Sequence, residues 1–125
     1  MLWETNSQAG CMASNKDVPQ GTLALMVLRT LAVLGPLHGY GIGRRIEEIS
    51  ANKITLNHGT LYPVLRKLEL DGAIRGEWRT SDNNQRAKYY TLTPAGRKEL
   101  ATETREWRRT ADLVQAFLQL TEDTV

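Results

Sequence analysis

The chain has 125 residues, 41% of them hydrophobic and 24% charged, with a formal net charge of +2. That size holds one core of ordinary dimensions and no second enzyme-sized domain, and the composition excludes a wholly disordered or fibrous chain. The net charge is too small to identify a partner, so the places where charges cluster must do so.

Residues 1 to 19 mix polar side chains with Trp3, show neither helical nor strand period, and end at Pro19. They read as a weakly ordered N-terminal arm. The arm carries Cys11, the single cysteine; one thiol closes no intramolecular disulfide and builds no metal site, which fits a reducing, cytoplasmic setting. The first twenty residues lack a basic start followed by an apolar core, so no signal peptide is expected.

The apolar run from Thr22 to Leu34 is interrupted by Arg29 and falls short of the roughly 20 residues of a membrane span, so no membrane association is expected. Leu23, Met26, Val27, Leu31 and Leu34 recur at helical spacing while Leu25, Leu28 and Ala32 fill a second face, which predicts a helix covered on two sides. Gly35-Pro36 ends it. Tyr40 to Ser50 reads as a short helix with Ile42, Ile46 and Ile49 as its buried stripe, and with Arg44, Arg45, Glu47 and Glu48 pointing elsewhere. The glycines Gly39, Gly41 and Gly43 follow no strand and precede no Gly-Lys-Ser or Gly-Lys-Thr, so they read as turn and packing residues, not a nucleotide loop.

A third helix is marked by Leu61, Val64, Leu65 and Leu68, with Asn57 or Thr60 as N-cap and Asp71-Gly72 as the stop. Pro63 has no N–H, which leaves two starts open: near Thr60, or earlier with a loosened first turn. Ala73 to Arg79 and Ala87 to Leu92 then form a β-hairpin whose tip runs through polar residues from Thr80 to Arg86. The last helix opens on Thr93-Pro94, a capping hydroxyl followed by proline at the first helical position, and runs to about Leu120. Along it Leu100, Thr104, Trp107, Ala111, Val114 and Leu118 recur at steps of four and three, the seam of a helix pair, with Leu113, Phe117 and Leu120 as a neighbouring stripe. One stripe can cover the first helix and the other is left for a second copy of the chain, which predicts a homodimer. Residues 121 to 125 are a tail.

The expected fold is mainly α with a small β-hairpin: a winged helix-turn-helix over residues 20–93 and a long C-terminal dimerisation helix over 94–120. In that plan the helix before the hairpin enters the major groove of double-stranded DNA. Its candidate contacts are Asn57, His58, Thr60, Tyr62, Arg66 and Lys67, whose amides, hydroxyls and cations suit base edges and phosphates. The wing adds Arg79, Asn83, Asn84, Gln85, Arg86 and Lys88, opposed there by Glu77 and Asp82. His38 and His58 have no cysteine or carboxylate at metal spacing, and no nucleophile–base arrangement is implied, so no metal, no cofactor and no catalytic residue is expected.

These residues resemble the PadR-like transcriptional regulators, in the short form with a single C-terminal helix, over roughly residues 17 to 119. The resemblance is carried by Gln20-Gly21-Thr22-Leu23, Gly35-Pro36-Leu37-His38-Gly39-Tyr40, Gly59-Thr60-Leu61-Tyr62-Pro63 with Leu65 and Leu68, Arg86-Ala87-Lys88-Tyr89-Tyr90, and Leu92-Thr93-Pro94-Ala95-Gly96-Arg97. It implies a winged-helix homodimer, usually a repressor, whose third helices and wings face DNA and whose C-terminal helices build the dimer. Tyr62, Arg86, Lys88 and Tyr89 match positions where the family touches DNA or supports the wing. The chain departs from longer members in having no second C-terminal helix, and residues 1 to 16 match nothing in the family. Some members respond to small aromatic molecules, which makes Trp107 a candidate effector contact as well as an interface anchor. Two rivals stay open: an effector-gated sensor with a small aromatic ligand at the dimer interface, and a protein-interaction module that binds no DNA.

Overall fold

The computed structural model describes residues 19–80 and 82–123. The arm expected over residues 1–19, with Cys11, therefore lies outside the described residues except for Pro19. The elements run in the order α1 (Gln20–Leu34), β1 (Leu37–His38), α2 (Gly39–Ile49), α3 (His58–Leu70), β2 (Ile74–Thr80), β3 (Arg86–Leu92) and α4 (Pro94–Leu118).

Helix α1 is the central element, packed against α2, α3, α4 and β3. Its stripe of Leu23, Val27, Leu28 and Leu31 is buried, and Thr30, the buried polar side chain of the core, donates its hydroxyl to the Met26 carbonyl at 2.7 Å. That bond removes the cost of placing a hydroxyl there. Gly35 takes a φ of 79° and donates its N–H to the Leu31 carbonyl, so the chain leaves the helix in a conformation that suits glycine.

Strand β1 was not foreseen. Leu37 and His38 pair antiparallel with Tyr90 and Tyr89, giving a three-stranded sheet of order β1-β3-β2 instead of an isolated hairpin. A two-residue strand has no period to read, and only the pairing with β3 defines it. His38 then caps α2, its Nδ1 accepting the Gly41 N–H at 2.9 Å.

In α2, Ile42 and Ile46 are buried as expected, but Ile49 is 69% exposed. It is the last residue of the helix and overhangs an apolar groove between α1 and α2 that no other part of the described protomer fills. Glu47, expected to face solvent, is half-buried and accepts the Leu56 N–H at 2.8 Å, while the Ser50 hydroxyl accepts that of Ile54 at 3.1 Å. These two bonds hold the turn that aims α3.

Asn57 caps α3, which settles its start ahead of Thr60, and Pro63 sits in its second turn. Leu61, Val64, Leu65 and Leu68 are buried. The helix ends with Gly72 at φ 81°, where the N–H groups of Ala73 and Gly72 reach the carbonyls of Leu68 and Glu69 in a Schellman turn. Helix α4 starts on the same turn. Thr93 accepts the Gly96 N–H at 3.0 Å, and its own hydroxyl lies 2.6 Å from the Gly72 carbonyl and 3.0 Å from that of Ala73. A Cβ on Gly96 would strike the Ala73 carbonyl, so glycine permits the close approach. Leu100 closes the core at 8% exposure; beyond Thr104 the large apolar side chains of α4 are uncovered, Trp107 at 54% and Phe117 at 66%. The helix ends at Leu118, two residues before its expected end.

Candidate nucleic-acid interface

Helix α3 and the β2–β3 ribbon stand side by side, and the hairpin register decides which wing residues share a face with the helix. Ile74, Gly76, Trp78 and Thr80 lie opposite Leu92, Tyr90, Lys88 and Arg86. Because side chains alternate along a strand, Arg86 and Lys88 share the face that carries buried Tyr90 and Leu92, which is the face turned to α3. Tyr62, Pro63, Arg66 and Glu69 of α3 meet Lys88 and Tyr90 around one shallow cleft. His58 and Tyr62 stack with ring centroids 5.0 Å apart, and the Tyr62 hydroxyl packs so closely on Gly39 that a Cβ there would collide with it.

Arg66 is exposed and has no acidic partner among the described residues. Arg86 is exposed with its guanidinium 5.7 Å from the centre of the Trp78 ring, a contact that orients the cation without neutralising it. Lys88 is different. Its ammonium lies 2.9 Å from the Glu69 carboxylate, and that hydrogen bond raises its pKa above the ordinary 10.5 against the opposing effect of burial. The sequence expectation set only Glu77 and Asp82 against the wing cations; Glu69 has to be added. It falls on the stripe of Tyr62 and Arg66, seven and three residues farther along the helix, so its face was readable although its partner was not. Burial also raises the pKa of the Tyr90 phenol, which stays neutral.

Other expected contacts sit elsewhere. Lys67 lies about 100° around the helix from Arg66 and pairs with Asp71 at 3.0 Å, next to a cleft shared with α1 and α4. Asn57 uses its Oδ1 to accept from the Thr60 N–H at 3.0 Å and the Thr60 hydroxyl at 3.2 Å. Both side chains therefore serve the start of α3, and a two-bond pairing of Asn57 with adenine requires opening the cap. Arg79 and Tyr89 belong to the other face of the ribbon: Arg79 pairs with Glu77 at 3.3 Å and lies 5.2 Å from the Tyr89 ring, which meets the His38 ring edge-on. Asn83, Asn84 and Gln85 are exposed at the tip, with Asn84 at φ 63°.

The supposed seam of α4 divides. Leu100 lies in the protomer's own core, Thr104 and Ala111 are half-buried, and Trp107, Val114 and Leu118 are exposed. Trp107 lines a cleft with Leu25, Arg29, Thr104 and Arg108. Among the described residues there is no cluster of three or more metal-ligating side chains, and no helix is long and apolar enough to cross a membrane.

Residues 27–102 match the Transcriptional regulator PadR-like family. The chain is similar to the transcriptional regulator Rv3488 of Mycobacterium tuberculosis, 41% identical over 59 residues that cover 47% of this chain and 54% of that protein. It is also similar to an uncharacterized 37.1 kDa protein in a transposon of Streptomyces fradiae, 38% identical over 85 residues, 68% of this chain. The chain thus spans about half the length of the first relative and 23% of the second. The solved structure of a transcriptional regulator from Clostridium thermocellum superimposes with a TM-score of 0.73 at 27% identity, covering 82% of this chain and 99% of that one. With a matched segment that runs from the middle of α1 to the first turns of α4, the chain belongs to the PadR-like family of transcriptional regulators.

Proposed function

We propose that the protein binds double-stranded DNA sequence-specifically as a homodimer and represses transcription by occupying an inverted-repeat operator in the cytoplasm. The observation that carries this reading is the shared face of α3 and the wing: Arg66, without an acidic partner among the described residues, stands with Tyr62 on α3, and Arg86, held by Trp78, lies farther out on the same face of the adjoining ribbon. Cations so placed suit two phosphate ridges, while His58 and the start of α3 meet base edges in the major groove. Residues 20–93 act as the DNA-binding unit and 94–120 as the dimerisation helix. The exposed apolar stripe of Trp107, Val114 and Leu118 on α4, with Leu113 and Phe117 beside it, is the surface offered to a second copy, and the apolar groove of α1 and α2 is the surface offered in return.

Binding to a selected duplex is expected to weaken steeply with salt, and Arg66→Ala to flatten the slope of log K against log salt by about 0.9, one phosphate contact. Replacement of His58 is expected to change the preferred sequence at roughly 1–3 kcal/mol for a lost base contact. Trp107→Asp with Val114→Asp is expected to give monomers in sedimentation, because two charges enter the apolar seam. An unchanged slope together with an unchanged sequence preference contradicts the interface, and an intact dimer removes α4 from it. A second reading, in which a small aromatic effector gates the DNA-bound form, is favoured by the exposure of Trp107 in its cleft beside Arg29 and Arg108. It requires that a planar hydrophobe quench tryptophan fluorescence and release DNA.

A further inference from the structure

We propose that Glu69, Lys88 and Gly76 form a strut that fixes the wing against the recognition helix, so that Lys88 serves sequence discrimination without itself contacting a phosphate. The inference rests on the DNA-binding reading above and assigns a role within that surface. Among the described residues the other ion pairs join side chains of one element or its cap: Arg44 and Arg45 with Glu48, Lys67 with Asp71, and Arg79 with Glu77. The Lys88–Glu69 pair instead bridges β3 and α3 across 19 positions of sequence, at 2.9 Å, with both side chains only about a third exposed (31% and 33%).

Gly76 leaves open the space that the bridge occupies. A Cβ there would collide with the stem of Lys88 and lie 3.0 Å from Glu69 Oε2, so the lysine runs back over the bare backbone of β2 to reach the helix. Glycine inside a strand weakens it and marks a close approach, and here the approaching group is the lysine. The Lys88 ammonium also lies 5.7 Å from the centre of the Tyr90 ring, which places it beside a buried side chain instead of out along the ribbon.

The position of Glu69 argues in the same direction. A carboxylate on a surface that faces phosphates is repelled by them unless a cation of the protein already holds it. The base of the ribbon is held to α3 by the turn at Asp71–Ala73 and by Ile74, Tyr90 and Leu92, which are buried in one core with Leu65 and Leu68. The charge-assisted, half-buried bond at Lys88 adds a polar constraint farther out along the ribbon, toward the wing, where it restricts the angle between wing and helix. With that angle fixed, α3 and the wing can be satisfied together only on a duplex of matching groove geometry, which is how positioning becomes discrimination.

The test is a salt titration of duplex binding, with affinities for a selected and a scrambled duplex, on the full chain and four variants of confirmed thermal stability. Arg86→Ala is expected to flatten the salt slope by about 0.9, whereas Lys88→Met leaves it at the wild-type value. Lys88→Met, Glu69→Gln and Gly76→Ala are each expected to lower discrimination by about tenfold, comparable to one mismatched base pair. The last two are also expected to steepen the slope, because the released Lys88 reaches a phosphate. A loss of slope in Lys88→Met equal to that of Arg86→Ala overturns the proposal, as does unchanged discrimination in all three strut variants. A response to Glu69→Gln but not to Gly76→Ala, which alters no charge, reduces the effect to net charge and also overturns it. Should Gly76→Ala fail to fold, the surface pair Glu69→Gln and Lys88→Met still decides by slope and discrimination. Failure of the wild-type chain to bind any duplex is a separate result that removes the DNA-binding reading and the strut with it.

Discussion

The two ends of α4 follow one apolar rhythm and have opposite surroundings. Its first two turns, from Pro94 to Leu100, are capped by Thr93, pressed onto the Gly72–Ala73 turn through Gly96, and closed by a leucine only 8% exposed. Its far half carries Trp107, Val114, Phe117 and Leu118 into the open. A heptad pattern therefore states that a face needs cover and does not state whose. The near end belongs to the protomer, and the far end is the part for which a second copy is proposed.

That contrast can be broken by substitutions along the helix. Leu100→Ala is expected to cost roughly 2–5 kcal/mol in denaturant unfolding, independent of protein concentration, because the cavity opens inside one protomer. Gly96→Ala is expected to cost roughly 1–3 kcal/mol, since the new methyl meets a backbone carbonyl that cannot rotate away. Thr93→Ala removes the cap and is expected to cost about 1 kcal/mol, with Thr93→Ser recovering most of it. Phe117→Ser is expected to move the protomer's stability by no more than about 0.5 kcal/mol at high dilution, while making the melting temperature of the assembled protein less dependent on concentration. If Phe117→Ser costs as much as Leu100→Ala in a dilute monomer, both ends of α4 belong to the protomer's own core.

Much of the fold was legible because its signals are local. The caps Asn57 and Thr93, the Asp71-Gly72 stop and the stripe of Leu61, Val64, Leu65 and Leu68 each depend on residues within a turn or two of one another. Strand β1 was hidden because two residues acquire a strand identity only through Tyr89 and Tyr90, some fifty positions away. Ile49 kept the right spacing but stood past the edge of the core. At the interface the residue types could be read, but their company could not. Arg66 and Lys67 are neighbours in sequence and face different clefts, and Lys88 looked like a wing cation until the hairpin register brought it to Glu69. Pairings across elements depend on register and crossing geometry, which a single sequence does not display.

The central claim, that α3 and the wing of a paired protomer read duplex DNA, is tested most directly by selection of binding sites from a random duplex pool at physiological salt with the full chain. The expected result is enrichment of an inverted repeat whose half-site centres lie about one helical turn, roughly 34 Å, apart or a multiple of it. Recovery of no sequence above the starting pool, or of lone half-sites without symmetry, would contradict it.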